Sequence, residues 1–328
     1  VCGTHTHEIF RLGIRKLLPE QVELISGPGC PVCVTQVGFI DEAIYLALER
    51  QVTICTFGDL VRVPGTNMSL AGAREKGAKI RIVYSPVDAK EYAKEHPKEQ
   101  VTFLSVGFET TTPSACLSVK KAREEGLTNY SILTANKTMP QAYEALKESA
   151  DIFLYPGHVN AITGTKLCEE LAKEGVSGVV AGFTAKELLT ALAVALARFQ
   201  EGRPFFVNCY PRVVTENGSP QAQKLVEEMM EPCDSEWRGL GVIKGSGMRL
   251  QEEWSAFDAR KKYKIPLIQG KANPACRCGD VLQGKCKPSD CKVFGKVCTP
   301  QHPVAACMVS GEGACSAYYM YGEAEKMK

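Results

Sequence analysis

The chain has 328 residues, which is enough for two or three domains that each bury a core. Its apolar content of 45% and charged content of 23% are those of a globular protein. A formal net charge of +2 gives no overall attraction to nucleic acid or to an anionic membrane, and no apolar stretch reaches the roughly 18 residues of a bilayer span. We therefore expect neither a nucleic-acid partner nor a membrane span.

Short apolar runs rich in β-branched residues alternate with stretches of helical length from residue 22 onward. This alternation is typical of βαβ units around a parallel sheet and predicts the α/β class. Strands are predicted at 22–25, 52–56, 80–84, 101–106, 131–135, 152–155, 176–181 and 205–209. Helices are predicted near 38–49, 68–77, 87–95, 113–126, 140–149, 164–174, 184–201 and 220–230.

Repeated units of this kind could close a (β/α)₈ barrel, but two features favour two smaller open sheets. The polar stretch 94–100 has the composition of a linker, and both halves carry glycine-containing turns where predicted strands end, as in doubly wound sheets that bind ligands. The alternation stops beyond residue 232. We therefore predict two Rossmann-like parallel-sheet domains, at 1–96 and 97–231, and a cysteine-rich third domain at 232–328.

Seven of the fifteen cysteines lie close together near the carboxyl end, with glycine and proline between them. Four thiolates that approach one cubane need loops rather than helices between them, and the gaps here are loop-sized. The spacing therefore favours a 4Fe-4S cluster. Zinc is the main alternative, although a zinc ribbon usually has two tight CxxC knuckles, and buried free thiols are a third possibility. Spacing does not decide which four would bind among Cys276, Cys278, Cys286, Cys291, Cys298, Cys307 and Cys315.

A second group of thiols lies near the amino end. Cys30 and Cys33 form a CxxC pair after Gly27-Pro28-Gly29, just beyond a predicted strand. A thiol that opens a helix has a lowered pKa, so the pair is predicted to serve in redox chemistry or metal capture. The structural alternative is a fortuitous buried pair.

The first motif of the chain is Cys2-Gly3-Thr4-His5-Thr6-His7, which offers one thiol and two imidazoles within six residues. We expect it at the carboxyl end of a strand that begins upstream, since the sequence opens at Val1 without a Met and residues are expected to precede it. The alternative interpretation is a polar turn with a helix N-cap at Thr4 or Thr6. The motif is predicted to be functional.

Two turns in the second half, 107–111 and 156–160, each follow a predicted strand. Either these turns present polar groups to a ligand, or they are only tight connections between a strand and a helix. Neither turn has the glycine spacing of a phosphate-binding loop.

An odd number of cysteines, in CxxC and CxC spacings, predicts a cytoplasmic protein. The cysteines outside the two groups are expected to be small core residues: Cys55, Cys116, Cys168, Cys209 and Cys233.

Taken together, these blocks resemble the HypD family of iron–sulfur scaffold proteins in [NiFe]-hydrogenase maturation. Two departures from the family pattern are Gly311, where we expect serine, and Ala305, where we expect glycine. The resemblance covers essentially the whole chain and is carried by residues 2–7, 27–33, 107–111, 156–159, 291–300 and 312–319.

The resemblance implies a role for each group of residues. Cys2 would bind the iron of a transient Fe(CN)₂CO group, with His5 and His7 beside it, and Glu312 would contact a partner or carry a proton. Cys30 and Cys33 would be a redox-active pair. The 4Fe-4S cluster would be held by Cys276, Cys291, Cys298 and Cys315, with Cys278 and Cys307 as plausible substitutes.

The resemblance also implies partners. They are a HypC-type chaperone that shares the iron and a HypE-type cyanide donor, which is loaded by a HypF-type protein; the chain alone is expected to be a monomer. The role is that of an assembly scaffold with redox chemistry rather than of an enzyme that turns over a metabolite. Two other classes stay open: a cluster-dependent thiol/disulfide oxidoreductase similar to ferredoxin:thioredoxin reductase, and a zinc-stabilised binding module.

Overall fold

The computed structural model describes residues 2–322. Its strands are β1 Thr53–Thr56, β2 Ile80–Ile82, β3 Val101–Gly107, β4 Tyr130–Asn136, β5 Phe153–Pro156, β6 Gly178–Ala181, β7 Phe206–Asn208, β8 Met230–Trp237 and β9 Gly241–Leu250. Its helices are α1 Gly3–Arg11, α2 Pro31–Val34, α3 Val37–Glu49, α4 Leu70–Glu75, α5 Pro86–Glu95, α6 Thr112–Glu124, α7 Met139–Ala145, α8 Gly157–Thr163, α9 Lys166–Lys173, α10 Ala185–Phe199, α11 Pro220–Met229, α12 Ala259–Lys262, α13 Cys278–Leu282, α14 Ala306–Val309 and α15 Ala314–Tyr321.

The strands form two open parallel sheets and one antiparallel hairpin. The first sheet has the order β2-β1-β3-β4, the second has the order β5-β6-β7, and the hairpin is β8-β9. All seven residues of the central strand β3 and all seven of β4, the last strand of this sheet, are buried, as expected for parallel strands covered on both faces. The predicted α/β class, with two parallel sheets instead of a barrel, is confirmed.

Two predictions near the amino end are wrong. Residues 22–25 form no strand, and they run as irregular chain between the first helix and the Gly27-Pro28-Gly29 turn. The alternative of an N-cap at Thr4 or Thr6 also fails, while the strand expected before Cys2 lies outside the described residues. Instead α1 begins at Gly3 with Cys2 as its N-cap, and both threonines lie inside it. The sequence also gave no indication of α8 or of the β8-β9 hairpin.

The predicted domain boundary at residue 96 is contradicted by strand pairing. β1 pairs with β3 from Thr53 opposite Val101, so the boundary divides a single sheet. The polar stretch 94–100 is the short connection between α5 and β3. The amino-terminal segment packs on the second sheet, where Ile9 and Ile14 share a core cluster with Val179.

The β8-β9 hairpin joins the first sheet to the chain around α2. Backbone bridges link Lys137, just after β4, to Gly247 of β9, and Thr35, just after α2, to Trp237 of β8. The Lys137 ammonium donates hydrogen bonds to Ser235 Oγ at 2.7 Å and to the Glu236 carbonyl at 2.8 Å, and burial lowers the pKa of this lysine to about 8. The hairpin therefore positions α2.

The carboxyl-terminal cysteines lie in the short helices α13, α14 and α15, in the loops between them and, for Cys276, just before α13. The helix α15 packs against α1, so this region contacts the amino-terminal segment. Within residues 2–322, no helix has the length and apolar character that crossing a bilayer requires.

Truncation of Trp237 should destabilise the fold. Its ring is fully buried, stacks with Phe108 at 5.9 Å between centroids, and donates a hydrogen bond from Nε1 to Ser246 Oγ at 2.8 Å. We expect Trp237→Ala to lower the free energy of unfolding by about 3–5 kcal/mol in urea titrations followed by circular dichroism. Val242→Ala on the same hairpin is the control, since Val242 is 67% exposed. Equal urea midpoints for the two variants would contradict this role.

Candidate metal and thiol site

Cys2 is the N-cap of α1 and is almost completely buried, with 6% of its surface exposed. Its sulfur accepts a hydrogen bond from the backbone N–H of His5 at 3.4 Å. Burial raises the pKa of this thiol to about 11; the His5 N–H acts in the opposite direction, and the charge of Glu312 adds to the rise. The free thiol is therefore protonated at neutral pH, and a bound metal would have to displace that proton.

Cys30 has the same place at the start of α2. It is the N-cap, its sulfur accepts the backbone N–H of Cys33 at 3.2 Å, and Pro31 occupies the first helical turn. Cys30 and Cys33 are both buried and are joined in a disulfide, with their Cα atoms 5.3 Å apart.

The two N-caps meet through a glycine contact. A Cβ atom on Gly29 would lie 2.7 Å from Cβ of Cys2 and 2.8 Å from the nitrogen of Gly3, which real Cβ atoms do not tolerate. A Cβ on Gly3 would lie 2.9 Å from Cβ of Glu312 and 3.2 Å from Cβ of Cys30. The absence of side chains at these two positions lets the three segments approach one another.

The loop 310–313 holds α1 from the carboxyl-terminal side. The Thr4 hydroxyl donates a hydrogen bond to Glu312 Oε1 at 2.6 Å, and His7 Nδ1 donates to the Gly311 carbonyl at 3.1 Å. The structure thus brings Glu312 and His7 together at the end of α1 where Cys2 is found.

His5 points to the second sheet. Its Nε2 lies 3.3 Å from the Ala181 carbonyl and 3.0 Å from the Gly182 carbonyl, so this nitrogen carries the proton and donates. Its Nδ1 is buried and has no hydrogen-bond partner within residues 2–322. Burial lowers the pKa of His5 to about 3, so the ring is neutral. His5 anchors α1 at the end of β6.

Sequence reasoning missed the aromatic stack that extends from His5. The ring of Phe183 lies between the two imidazoles, 4.6 Å from His5 and 3.8 Å from His158 between centroids. Burial lowers the pKa of His158, while the Glu312 carboxylate acts in the opposite direction. The flagged turn 156–160 contained His158, but nothing in the sequence indicated Phe183.

The other predicted turn, 107–111, is partly exposed. The side chain of Glu109 in this turn is partly buried, and its Oε1 accepts the backbone N–H of Met139 at 2.8 Å, at the start of α7. Its Oε2 has no hydrogen-bond partner in the part of the chain that the structure describes. Burial raises the pKa of Glu109 to about 7. This carboxyl group therefore supports the start of α7.

A cleft of about 440 Å³ opens beside Cys2. The Gly27-Pro28-Gly29 turn and the irregular chain 21–25 line one side, and apolar residues of α10, including Leu192 and Phe199, line another. Cys2 is the only thiol among the residues that line this cleft within the described chain. A ligand bound at its sulfur would be reachable from the cleft.

The carboxyl-terminal cysteines surround a small separate cavity. The described residues that line it include no carboxylate and no imidazole, and the apolar ones include Val281, Phe294 and Met308. Among residues 2–322, no three His, Cys, Asp or Glu side chains are already arranged around a single metal ion. The sulfur lining suits a thiolate-bound group, and Cys286 alone of the seven lies outside it. The lining cysteines are Cys276, Cys278, Cys291, Cys298, Cys307 and Cys315.

The predicted ligands Cys276, Cys291, Cys298 and Cys315 are thus brought together, but so are the two substitutes. The hydrogen bond with the Cys278 thiol and burial raise the pKa of Cys276, and the positive charge of Arg238 opposes this rise. Six cysteines therefore line the cavity, two more than the four ligands that a cubane would need.

The disulfide and this cavity are neighbours. Cys30 and Cys33 form one buried cluster with Cys278, Ala305 and Cys307, against which Cys276 and Cys315 also pack. The two sulfur centres predicted from separate ends of the sequence are therefore in contact.

Comparison with known proteins finds the same family that the sequence motifs resemble. The family model HypD, described as the hydrogenase formation hypA family, matches residues 1–322. The chain belongs to the HypD family. Its HypD-family relatives include the hydrogenase maturation factors HypD of Rhizobium leguminosarum, 44% identical over 98% of this chain and 87% of that protein, and of Escherichia coli, 42% identical over 99% of this chain and 89% of that one. The HypD of Cupriavidus necator is 42% identical over 98% and 88%.

Neutralising Glu312 should make Cys2 more reactive. The negative charge of Glu312 adds to the burial that raises the pKa of Cys2, so Glu312→Gln should lower this pKa while keeping an oxygen that accepts from Thr4. At a fixed pH between 8 and 10 we expect faster alkylation of Cys2, measured by mass spectrometry of its peptide.

Glu8→Gln is the matched control, because Glu8 lies on the same helix but is paired with Arg11 on its exposed side. It should leave the rate unchanged. An unchanged or slower rate in Glu312→Gln would show that its charge does not act on Cys2.

Proposed function

We propose that this HypD-family chain acts in hydrogenase maturation, as a scaffold and redox protein for assembly of the Fe(CN)₂CO group of [NiFe] hydrogenases. The observation that carries the proposal is the contact between a thiol at the mouth of a cleft, a dithiol pair and a sulfur-lined cavity. The names of its relatives, hydrogenase maturation factors, agree with it. The action is proposed to take place in the cytoplasm.

In this proposal Cys2 binds the iron that is being assembled, together with a cysteine of a HypC-type chaperone. A thiolate suits low-spin iron with strong-field ligands. The sulfur lies beside an open cleft, which gives room for the ligands of the iron. His5 stays neutral and holds α1 against β6, so its role is to fix the position of Cys2.

The dithiol pair is proposed to supply electrons for cyanide release. A HypE-type donor carries cyanide as a thiocyanate, and cleaving its S–C bond requires two electrons. The two thiols of Cys30 and Cys33 provide these electrons and two protons as they form their disulfide, leaving the donor thiol and hydrogen cyanide. Gly3 and Gly29 keep this pair next to Cys2, where the cyanide is needed.

The cavity lined by the carboxyl-terminal cysteines is proposed to hold a 4Fe-4S cluster through Cys276, Cys291, Cys298 and Cys315. Such a cluster would pass electrons one at a time to the neighbouring disulfide. The chain itself contributes soft ligands, an apolar wall and direct packing of Cys30 and Cys33 against the ligand segment.

A thiol/disulfide oxidoreductase is the second candidate, because a disulfide packed against a cluster cavity would serve it equally well. Anaerobic protein made with and without the HypC-type and HypE-type partners separates the two. The scaffold should carry iron beyond four atoms per chain and show infrared bands of cyanide and carbonyl when its partners are present. A reductase should show neither, and a zinc-stabilised module should be colourless.

Removal of the Cys2 thiol should distinguish the proposed iron site at Cys2 from the proposed cluster site in the cysteine cavity. We expect Cys2→Ala to lose the extra iron and the infrared bands while the visible absorption of the cluster is unchanged, since Cys2 does not line the cysteine cavity. Metal analysis and infrared spectroscopy measure this. Cys209→Ala, at a free cysteine after β7, should retain both signals. Full iron loading in Cys2→Ala would refute the assignment of Cys2.

Removal of a cavity cysteine should have the opposite effect. Cys298→Ala should bleach the protein and lower its thermal stability, because the binding energy of a metal group is also folding energy. Cys286→Ala is the matched control from the same segment, since Cys286 does not line the cavity. A brown Cys298→Ala protein with full iron and sulfide content would show that the ligand set is different.

A further inference from the structure

Arg238 is a buried cation that is hydrogen-bonded to the end of α2, the helix that carries the disulfide. It follows Trp237 at the end of β8, and only 6% of its surface is exposed. None of the ion pairs found within residues 2–322 includes Arg238, and its Nη2 is buried without a hydrogen-bond partner. A buried charge that lacks a counter-charge is strongly destabilising, so the position needs an explanation.

On one side, Arg238 is fixed to the helix that carries the disulfide. Its backbone N–H donates to the Val34 carbonyl at 2.8 Å, and its side-chain Nε donates to the Thr35 carbonyl at 2.9 Å. These two carbonyls belong to the last turn of α2 and to the residue after it. The guanidinium therefore cannot move independently of Cys30 and Cys33.

On the other side, the turn that contains Arg238 packs on the cysteine cavity. A Cβ atom on Gly279 would lie 2.8 Å from Cα of Gly239, and the Gln283 side chain donates to the Gly239 carbonyl at 3.0 Å. Gly279 directly follows Cys278. The guanidinium is close enough to act electrostatically on both Cys276 and Cys278.

The charge that would balance Arg238 comes with the group proposed for the cavity. Four thiolates bring more negative charge than a cubane core brings positive charge, so a bound cluster is anionic and gains one further negative charge on reduction. A fixed cation nearby stabilises the reduced form more than the oxidised form. Arginine remains charged at any pH at which the protein folds, so the effect does not titrate away.

Building on the proposed function, we propose that Arg238 is a positioning and charge-balancing residue of the cluster site, which favours the reduced cluster and holds the disulfide helix beside it. The electron that reduces the cluster comes from an external low-potential reductant, dithionite in the test below. The guanidinium itself undergoes no bond change.

The test compares two substitutions that both remove the guanidinium bond to Thr35 but differ in charge. In anaerobic redox titrations of the full-length holoprotein, Arg238→Gln should lower the ratio of reduced to oxidised cluster about tenfold at a given potential. A tenfold change in this ratio corresponds to a fall of 59 mV in the midpoint potential of a one-electron couple. Arg238→Lys keeps a positive charge and should stay within about threefold of the unmodified protein.

Arg249→Gln is the control for loss of a positive charge elsewhere on the hairpin, because Arg249 is exposed and paired with Glu231. It should leave the midpoint potential unchanged. If Arg238→Gln fails to retain a cluster, retention by Arg238→Lys still supports the need for charge, whereas loss in both variants overturns it. An unchanged potential in Arg238→Gln also overturns it.

These outcomes are distinct from failure of the proposed function. If the unmodified protein, reconstituted with iron and sulfide, holds no cluster at all, the cluster assignment fails before any variant is compared. If the unmodified protein holds a cluster and substitutions at position 238 leave its midpoint potential unchanged, only the role of Arg238 is refuted.

Discussion

The close approach of Gly29 to Cys2 is the contact on which the site depends. Cys2 belongs to a helix that is anchored on the second sheet, through Ile9 in its core and His5 at the end of β6. Cys30 belongs to a helix end that is anchored on the β8-β9 hairpin. Because backbone meets backbone at Gly29, the two N-cap thiols come together only when both anchors are in place. The site is therefore a property of the junction between the sheets, not of either sheet.

Burial at this junction also sets the resting protonation of the site. The folded protein holds the Cys2 proton more tightly than the unfolded chain does, since burial raises the pKa to about 11. Below the ordinary pKa of a cysteine thiol, Cys2 is protonated in both the folded and the unfolded chain and does not weaken folding. As the pH rises from that value towards 11, the unfolded chain loses the proton first, so the free energy of unfolding falls. A neutral His5 adds no charge to the same buried region. Cys2 and His5 are therefore both neutral at neutral pH, and the nearby Glu312 carboxylate supplies the negative charge that acts on Cys2.

Much of the fold followed from local pattern, and its failures have physical causes. Buried parallel strands such as β3 and β4 are short runs rich in apolar and β-branched residues, so they were found within a residue or two. Residues 22–25 also contain apolar and β-branched residues, but they line the cleft and pair with no strand of the described chain. The boundary at residue 96 failed because polarity between α5 and β3 does not reveal that β1 pairs with β3.

The candidate site was predicted in its parts but not in its assembly. Each motif was recognisable, since thiols at helix starts and glycine-separated cysteines have local signatures. Their meeting depends on the docking of two sheets and on glycine contacts between distant segments, which leave no periodic trace in the sequence. Cys278 follows Cys276 by two residues, so spacing could not rank one above the other, and the structure places both in the cavity wall. Arg238 had no motif around it at all.

The contacts around the junction are unequal in strength, and this bears on how Cys2 could be reached. The hairpin side is held by backbone bridges, a buried tryptophan and a buried arginine. The loop 310–313 is held to α1 by two side-chain hydrogen bonds, of which the one from His7 is exposed to solvent. Single hydrogen bonds contribute about 0.5–1.5 kcal/mol each, far less than a buried aromatic ring. The loop also continues into α15, which packs on α1 through contacts such as that of Phe10 with Tyr318, so displacing it would cost more than these two hydrogen bonds. The cleft that Cys2 lines offers access to this residue without that displacement.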